Sequence, residues 1–308
     1  MRKEIAPYEI GRILILLGTL LSLAGALYGL YVLIWNAAQL VMEPLGIFLE
    51  KELTQVTEAA AKSGCIKGAV LFVVCLSLFF VAKDQIRRQQ LRFKRKFMPQ
   101  VLKQDFSDFT YDAPKCKSRE ETLCDMGLLR YSERYYSANR LQGIYQDCWV
   151  AAEEIACGGV YGEHYTSHKV KVRGQWLTIR LNRDFEGPVI LECRGSKNRL
   201  THRRVAREMC EIQFDDQAFA DSFRCFAPAA EEAYSLISRQ LAAKLVAMLE
   251  RYPDFSVFFY HGCMHILLRR RSFNRRLEAL CPFTLNQLQA EAARLYGPLQ
   301  DFTRMLLT

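Results

Sequence analysis

None of the 11 cysteines is spaced as Cys-x-x-Cys, so a zinc ribbon and a thioredoxin-like redox centre have no support. The chain has no GxxxxGK followed by Ser or Thr, no GxGxxG behind a strand, no HExxH and no GxSxG. Those gaps remove the usual signals of P-loop, dinucleotide-binding, zincin and nucleophile-elbow chemistry. Glycine (17) and proline (9) are few among 308 residues, and no internal repeat is visible. A collagenous, coiled-coil or wholly disordered chain is thereby excluded. Residues 1–82 lack any charge excess, with 6 basic and 6 acidic residues. The whole formal charge of +9 therefore lies in residues 83–308, with 36 basic against 27 acidic.

Long apolar runs are present. Ile13 to Trp35 is 23 residues without a charge, long enough as a helix to cover roughly 34 Å against a hydrocarbon core of about 30 Å. The run exceeds a signal peptide's apolar region, and no small-x-small cleavage site follows it. A helix buried in a soluble core is the competing reading, but few helices of that length are apolar on every face. Gly18–Ser22 and Gly25–Gly29 have the small-xxx-small spacing that lets helices approach closely. They make the first helix a candidate for pairing copies into a homo-oligomer. A second run, Gly68 to Ala82, is shorter. Snorkelling of Lys67 extends it back to Gly64, giving a second span over 64–82.

The flanking charges predict an orientation. Arg2, Lys3 and Arg12 precede the first span. Lys83, Arg87, Arg88, Arg92, Lys94, Arg95 and Lys96 follow the second. The connector, read as helical around Leu45 to Ala61, has Lys51, Lys62 and Lys67 against Glu43, Glu50, Glu52 and Glu58. Both chain ends are expected on the cytoplasmic side. The expected layout is a hairpin over 1–82, a basic juxtamembrane helix over 83–104, an α+β domain over 105–283, and a C-terminal helix and tail over 284–308. The juxtamembrane segment holds eight Lys or Arg and one acid, Asp84. Ile86, Phe93, Phe97 and Val101 form its apolar stripe, and Pro99 bends or ends it. Arg87, Arg88, Arg92, Lys94, Arg95 and Lys96 are expected to contact anionic lipid. Nucleic-acid binding lacks the aromatic platforms or reader motif it needs.

Beyond Gln104 the chain reads as mostly helical to 145, with a capping box at Ser118–Glu121. Strands are expected at Trp149–Ile155 and Val189–Cys193. Lys169–Arg173 and Gln175–Leu181 suggest a hairpin turning at Gly174. Cys210–Phe214 and Phe223–Phe226 flank a turn at Asp215-Asp216. A helical turn at Ala229–Leu236 and a helix capped by Ser238 follow. Ser256–Tyr260 and Met264–Leu268 pair about His261-Gly262, and a helix over Thr284–Tyr296 closes the chain. Strands, then helix, then a strand pair define an α+β class with an antiparallel sheet packed with helices.

The run Cys210–Phe223 (CEIQFDDQAFADSF), the Glu231-Glu-Ala233 turn, the helix over Leu236–Leu249 and the hairpin over Phe255–Leu268 come in a distinctive order. Together with Gln175–Leu181, Phe185-Glu-Gly187 and two N-terminal spans, they resemble the bacterial membrane-anchored domain of unknown function numbered 3137. The resemblance covers about 120–200 residues. It implies a cytosolic module at the bacterial inner membrane, and it brings no catalytic residues and no cofactor. One departure is the basic exit Arg269-Arg-Arg271 and Arg275-Arg276, where that family tends to be acidic.

Metal and nucleophile readings are weak. Cys263 and His265 share a strand face with His261 at the turn, but a fourth zinc ligand has no source. His164 and His168 lie in a glycine-rich loop. No cysteine sits in a nucleophile setting, and Asp215-Asp216 reads as a turn cap. No catalytic residue, metal ligand or cofactor is assigned. Trp176, Phe185 and Phe258 define a candidate groove for a peptide or lipid. The expected function is a membrane-anchored interaction or regulatory module with an unknown protein partner. The alternative is a membrane-bound hydrolase or transferase using a Cys or His.

Overall fold

The computed structural model describes residues 2–42, 58–113, 124, 133–160, 172–183, 185, 188–195, 209–269 and 283–308. It divides into two compact units, Met1–Phe93 with Arg275–Gln287, and Lys94–Asn274 with Leu288–Thr308.

The first unit is a helical hairpin. Helix α1 is Arg2–Met42 and helix α2 is Glu58–Leu102. Both contain a stretch long and apolar enough to cross a membrane, only 11% and 6% of which is buried. Among the described residues, every exposed large hydrophobic except Tyr234 and Leu307 lies on these two helices. A soluble core helix would bury such residues. The facing seam repeats at alternating steps of three and four. It runs through Ile5, Tyr8, Arg12, Ile15, Thr19, Ser22, Ala26, Gly29, Leu33 and Asn36 of α1, none of them exposed. On α2 it runs through Ala61, Cys65, Gly68, Phe72, Cys75, Phe79, Ala82, Ile86, Gln89 and Phe93, again none exposed. This period of 3.5 is that of a coiled-coil seam. Its tightest point is glycine on glycine. A Cβ on Gly29 would stand 2.7 Å from the Phe72 amide nitrogen, and one on Gly68 2.7 Å from that of Leu33.

The second unit is built on an antiparallel sheet. Its strands are β1 Ser107–Asp112, β2 Glu133–Tyr145, β3 Cys148–Val160, β4 Val172–Arg180, β5 Val189–Cys193, β6 Cys210–Ile212, β7 Phe223–Ala227, β8 Phe255–Tyr260 and β9 Cys263–Arg269. The nine strands pair in the order β1-β2-β3-β4-β9-β8-β5-β7-β6. Four helices accompany them: α3 Gln217–Ser222, α4 Ala230–Leu236, α5 Arg239–Arg251 and α6 Leu285–Leu307. One face of the sheet carries Leu177, Leu191, Phe223, Cys225, Phe255, Val257, Phe259, Ile266 and Leu268, all at most 3% exposed. Helix α6 packs on that face: the Phe302 ring meets Phe255 at 5.2 Å, and Gln175 Nε2 donates to the Leu295 carbonyl.

The expected α+β class with a long apolar hairpin is what forms. Ser238 caps α5 by accepting the Leu241 amide, and Asp216 caps α3 by accepting that of Phe219. His261 and Gly262 both have positive φ, +46° and +65°, the requirement of a tight two-residue hairpin turn. Several local readings differ. The stretch expected to be helical holds β1 and β2, whose register is broken by bulges near Asp108 and Asn139 (φ +42° and +51°). Gly174 is not a turn but lies inside β4, opposite Arg269. Pro99 does not end α2, and α6 runs on through Pro298 past the expected end at Tyr296. In α6 the turns after Pro298 bury Leu299 and Phe302 completely, which offsets the missing backbone bond. Of the connector expected to be helical around Leu45 to Ala61, Glu58 to Ala61 form the first turn of α2, and the rest, with the Ser118 capping box and the His164/His168 pair, lies outside the described residues.

Candidate functional site

The second face of the sheet differs in chemistry from the helix-covered one. Side chains alternate along a strand, so Glu153, Trp176, Leu267, Ser256, Glu192 and Arg224 fall in one row across β3, β4, β9, β8, β5 and β7. The next row holds Thr178, His265, Phe258, Ile190 and Phe226. Ile155, Trp176, Ile190, Phe226, Phe258 and Leu267 make an apolar cluster there, with Cys124, Met209 and Tyr260 packed on it. The Trp176 ring lies 5.8 Å from Phe258 and 5.4 Å from His265. Thr178 Oγ1 and His265 Nδ1 share a hydrogen bond of 3.1 Å. Ser137 donates to Glu153 across the β2–β3 pair.

The structure thus brings Trp176 and Phe258 together and leaves Phe185 apart from them. Phe185 packs edge-on to Phe259 at 6.2 Å, and Phe259 points to the opposite face from Phe258. Trp176 and Phe258 are each 1% exposed. The buried polar groups beside them were not singled out from sequence. The available signal was Glu153-Glu154 inside an otherwise apolar strand, because carboxylates at buried strand positions require partners.

At the end of this face the charges alternate. Arg224 makes two hydrogen bonds to Glu211 (2.9 and 2.7 Å), which hold its guanidinium above its usual range. Arg269 stands 3.8 Å from Asp254. Burial lowers its pKa, against the opposing charges of Asp254 and Glu192. On the helix-covered face Glu154 accepts from Asn139 Nδ2 (2.6 Å) and lies 3.7 Å from Arg294. Arg294 also approaches Glu291, which is paired with Lys94.

Six basic residues of α2 were assigned to the membrane surface. Arg87, Arg88, Arg92, Arg95 and Lys96 are exposed and fall on the half of the helix opposite Ile86, Phe93, Phe97 and Val101. Arg88 pairs with Asp84 at 2.7 Å. Lys94 turns away from that arc into its half-buried pair with Glu291.

Among the described residues no group of three or more His, Cys, Asp or Glu could hold a metal ion. Burial, with the Glu211 charge second, pushes the Cys225 thiol up to about 12. Burial and Asp147 raise that of Cys148. Neither has the electropositive, open setting that activates a thiolate. In the native full-length protein, Cys210, which is exposed, is expected to react with maleimide at pH 7.5 at least about 100-fold faster than Cys225. Peptide mapping after timed labelling measures the ratio, and equal rates would contradict the burial of Cys225.

A hairpin of two apolar helices ahead of a nine-stranded antiparallel sheet with helices defines an α+β protein with two candidate membrane helices. Within it, residues 170–295 match the family model described as Protein of unknown function (DUF3137). The chain therefore carries a DUF3137 domain from β4 into α6, less than half of its length. Among curated proteins none matches the sequence. Among solved structures, the crystal structure of the mycobacterial trehalose monomycolate transport factor A, TtfA, aligns at 8% identity and a TM-score of 0.35. That alignment covers 66% of this chain and 94% of the other.

Proposed function

We propose that the chain is a two-span protein of the bacterial cytoplasmic membrane that presents its α+β domain to the cytoplasm as an interaction or regulatory module. The observation that carries this reading is the apolar surface of α1 and α2. Leu14, Leu17, Leu21, Leu27, Val70, Val73 and Phe80 are each more than half exposed, as lipid-facing residues are and soluble-core residues are not. An antiparallel hairpin that crosses a bilayer returns its two ends to one side, and the Lys/Arg excess beyond Ala82 favours the cytoplasm. The functional parts are the hairpin over 1–82, the basic helix over 83–104, the α+β domain over 105–283 and the C-terminal helix over 284–308.

Anionic lipid is the first partner. Arg87 and Arg88 follow Ala82 by about 8–9 Å along the helix, within about one screening length of charged headgroups. Each contributes about 1 kcal/mol there. The second partner is a protein; the Trp176–Phe258 pair lies beneath other side chains, each 1% exposed, and offers it no open surface. Pairing of two copies through the first helix would use a face other than Gly25 and Gly29, which α2 covers. The alternative is a hydrolase or transferase acting through Cys or His, and Cys148 and Cys225, whose thiols are both raised, are poor nucleophiles for it.

The test combines alkaline carbonate extraction with C-terminal fusions. The protein is expected to stay in the pellet, with a fluorescent-protein fusion bright and an alkaline phosphatase fusion inactive. Release by carbonate would overturn the spanning reading. An active phosphatase fusion would overturn the orientation.

A further inference from the structure

We infer that Glu9, Arg12 and Phe93 form a clasp on Phe283, through which the state of the hairpin controls the start of α6. The inference rests on the reading that the hairpin spans a bilayer. Arg12 is the last charge before the uncharged run of α1, yet it is only 8% exposed. A guanidinium at the membrane edge would ordinarily snorkel into water. Here its Nε donates to both Glu9 oxygens (3.1 and 3.0 Å), and its guanidinium carbon stands 5.9 Å from the Phe283 ring centre. A buried ion pair is retained at a cost unless further hydrogen bonds complete it. The Phe283 backbone N–H supplies one by donating to Glu9 Oε2. The Phe283 ring, 5% exposed, stacks on Phe93 at 4.8 Å with 20° between planes, and Tyr8 meets Phe93 from α1 at 5.7 Å.

Phe283 also has a defined place relative to α6. The Gln287 amide donates to Thr284 Oγ1 at 3.3 Å, so Thr284 is the N-cap and Phe283 the residue before the cap. That position commonly carries the apolar group that fixes a helix's entry angle. In this chain the group is held by the hairpin. The three holding residues sit on both helices, Glu9 and Arg12 on α1 and Phe93 on α2. A slide or splay of α1 against α2 therefore separates the carboxylate from the ring stack and frees the residue that sets the entry of α6. A contact that only stabilised α6 would not need both helices. The ligand of the clasp is this chain's own Phe283, and its effector is whatever shifts the hairpin, bilayer thickness included.

The experiment uses the full chain reconstituted in nanodiscs of dimyristoyl or dierucoyl phosphatidylcholine, with amide hydrogen exchange read at residues 283–290. Thickness mismatch of several ångströms tilts or shifts spanning helices at a modest cost per ångström. Exchange at 283–290 is expected to differ about fivefold between the two bilayers, a difference of about 1 kcal/mol. Phe283→Ala is expected to give fast exchange in both discs and lose the dependence. Glu9→Gln, which keeps the ring stack, is expected to retain a reduced dependence. Equal wild-type exchange in the two bilayers, or an unchanged dependence in Phe283→Ala, would overturn the clasp while leaving the spanning reading intact. Failure of the chain to enter nanodiscs would overturn both.

Discussion

Replacing Gly174 by alanine is expected to lower the apparent melting temperature of the purified protein by about 2–12 °C, and by valine to prevent accumulation of folded protein. Gly174 is inside β4, between β3 and β9, where Ile155 and Arg269 are its cross-strand neighbours. A Cβ there would stand 2.0 Å from the Leu268 carbonyl oxygen and 3.0 Å from its carbon. Those are backbone atoms, and no rotamer change can clear them. β4 and β9 must move apart, and both are joined on their other edges to further strands. Leu177, Ile179, Met264, Ile266 and Leu268, all at most 3% exposed, then lose their packing together. Overpacking in a fitted core costs about 1–3 kcal/mol and sometimes more, and each kcal/mol shifts the midpoint by about 2–4 °C in a domain of this size. Gly195→Ala is the control, since a Cβ there meets nothing within 4 Å. A Gly174→Ala protein as stable as the control would refute the close approach of β4 and β9.

The same glycine illustrates what could and could not be read in advance. A glycine between two β-rich runs fits either a turn or a close backbone approach. Only the non-local partner, Leu268, decides between them. β1 and β2 escaped for the same reason. Their pairing is interrupted by bulges at Asp108 and Asn139, which break the alternation a strand otherwise displays. Elements whose signal is local were legible: the uncharged runs of α1 and α2, the caps at Asp216 and Ser238, and the His261-Gly262 turn. Of the three residues expected to line a groove, two share a buried face. Trp176 and Phe258 belong to one face because cross-strand register places them there. Phe185, outside any strand, had no register to read. Of the hairpin seam, the small-residue pairs Gly18–Ser22 and Gly25–Gly29 pointed to Ser22 and Gly29, although Cys65, Gly68, Phe72, Cys75 and Phe79 carry the same steps of three and four on α2.

Gly25→Cys is expected to form an intramolecular disulfide with Cys75 on mild oxidation in membranes, and Gly18→Cys is not. A Cβ at Gly25 would lie 2.7 Å from Cys75 Sγ, whereas one at Gly18 meets nothing within 4 Å. The reach of a disulfide, about 3.5–4.5 Å between Cβ atoms, is met only where the helices are this close. Closeness depends on the neighbouring glycine pair. A side chain on Gly29 would strike the Phe72 amide nitrogen at 2.7 Å and the Gly68 carbonyl at 3.0 Å, all backbone of the facing helix. Helices whose interfaces lack small residues stand about 8–10 Å apart, and van der Waals contact is what holds helices together in lipid. Adding Gly29→Leu to Gly25→Cys is therefore expected to cut the yield of crosslinked monomer about tenfold, a loss of about 1.4 kcal/mol in favour of the closed pair. Gly68→Leu attacks the same contact from α2, where its Cβ would stand 2.7 Å from the Leu33 amide nitrogen and 2.9 Å from the Gly29 carbonyl, and is expected to match it. Gel mobility under non-reducing conditions reads the result. A product of doubled mass would assign the Gly25 face to a second copy instead of α2, and an undiminished monomer crosslink in Gly29→Leu would show that the glycine pair does not set the helix separation.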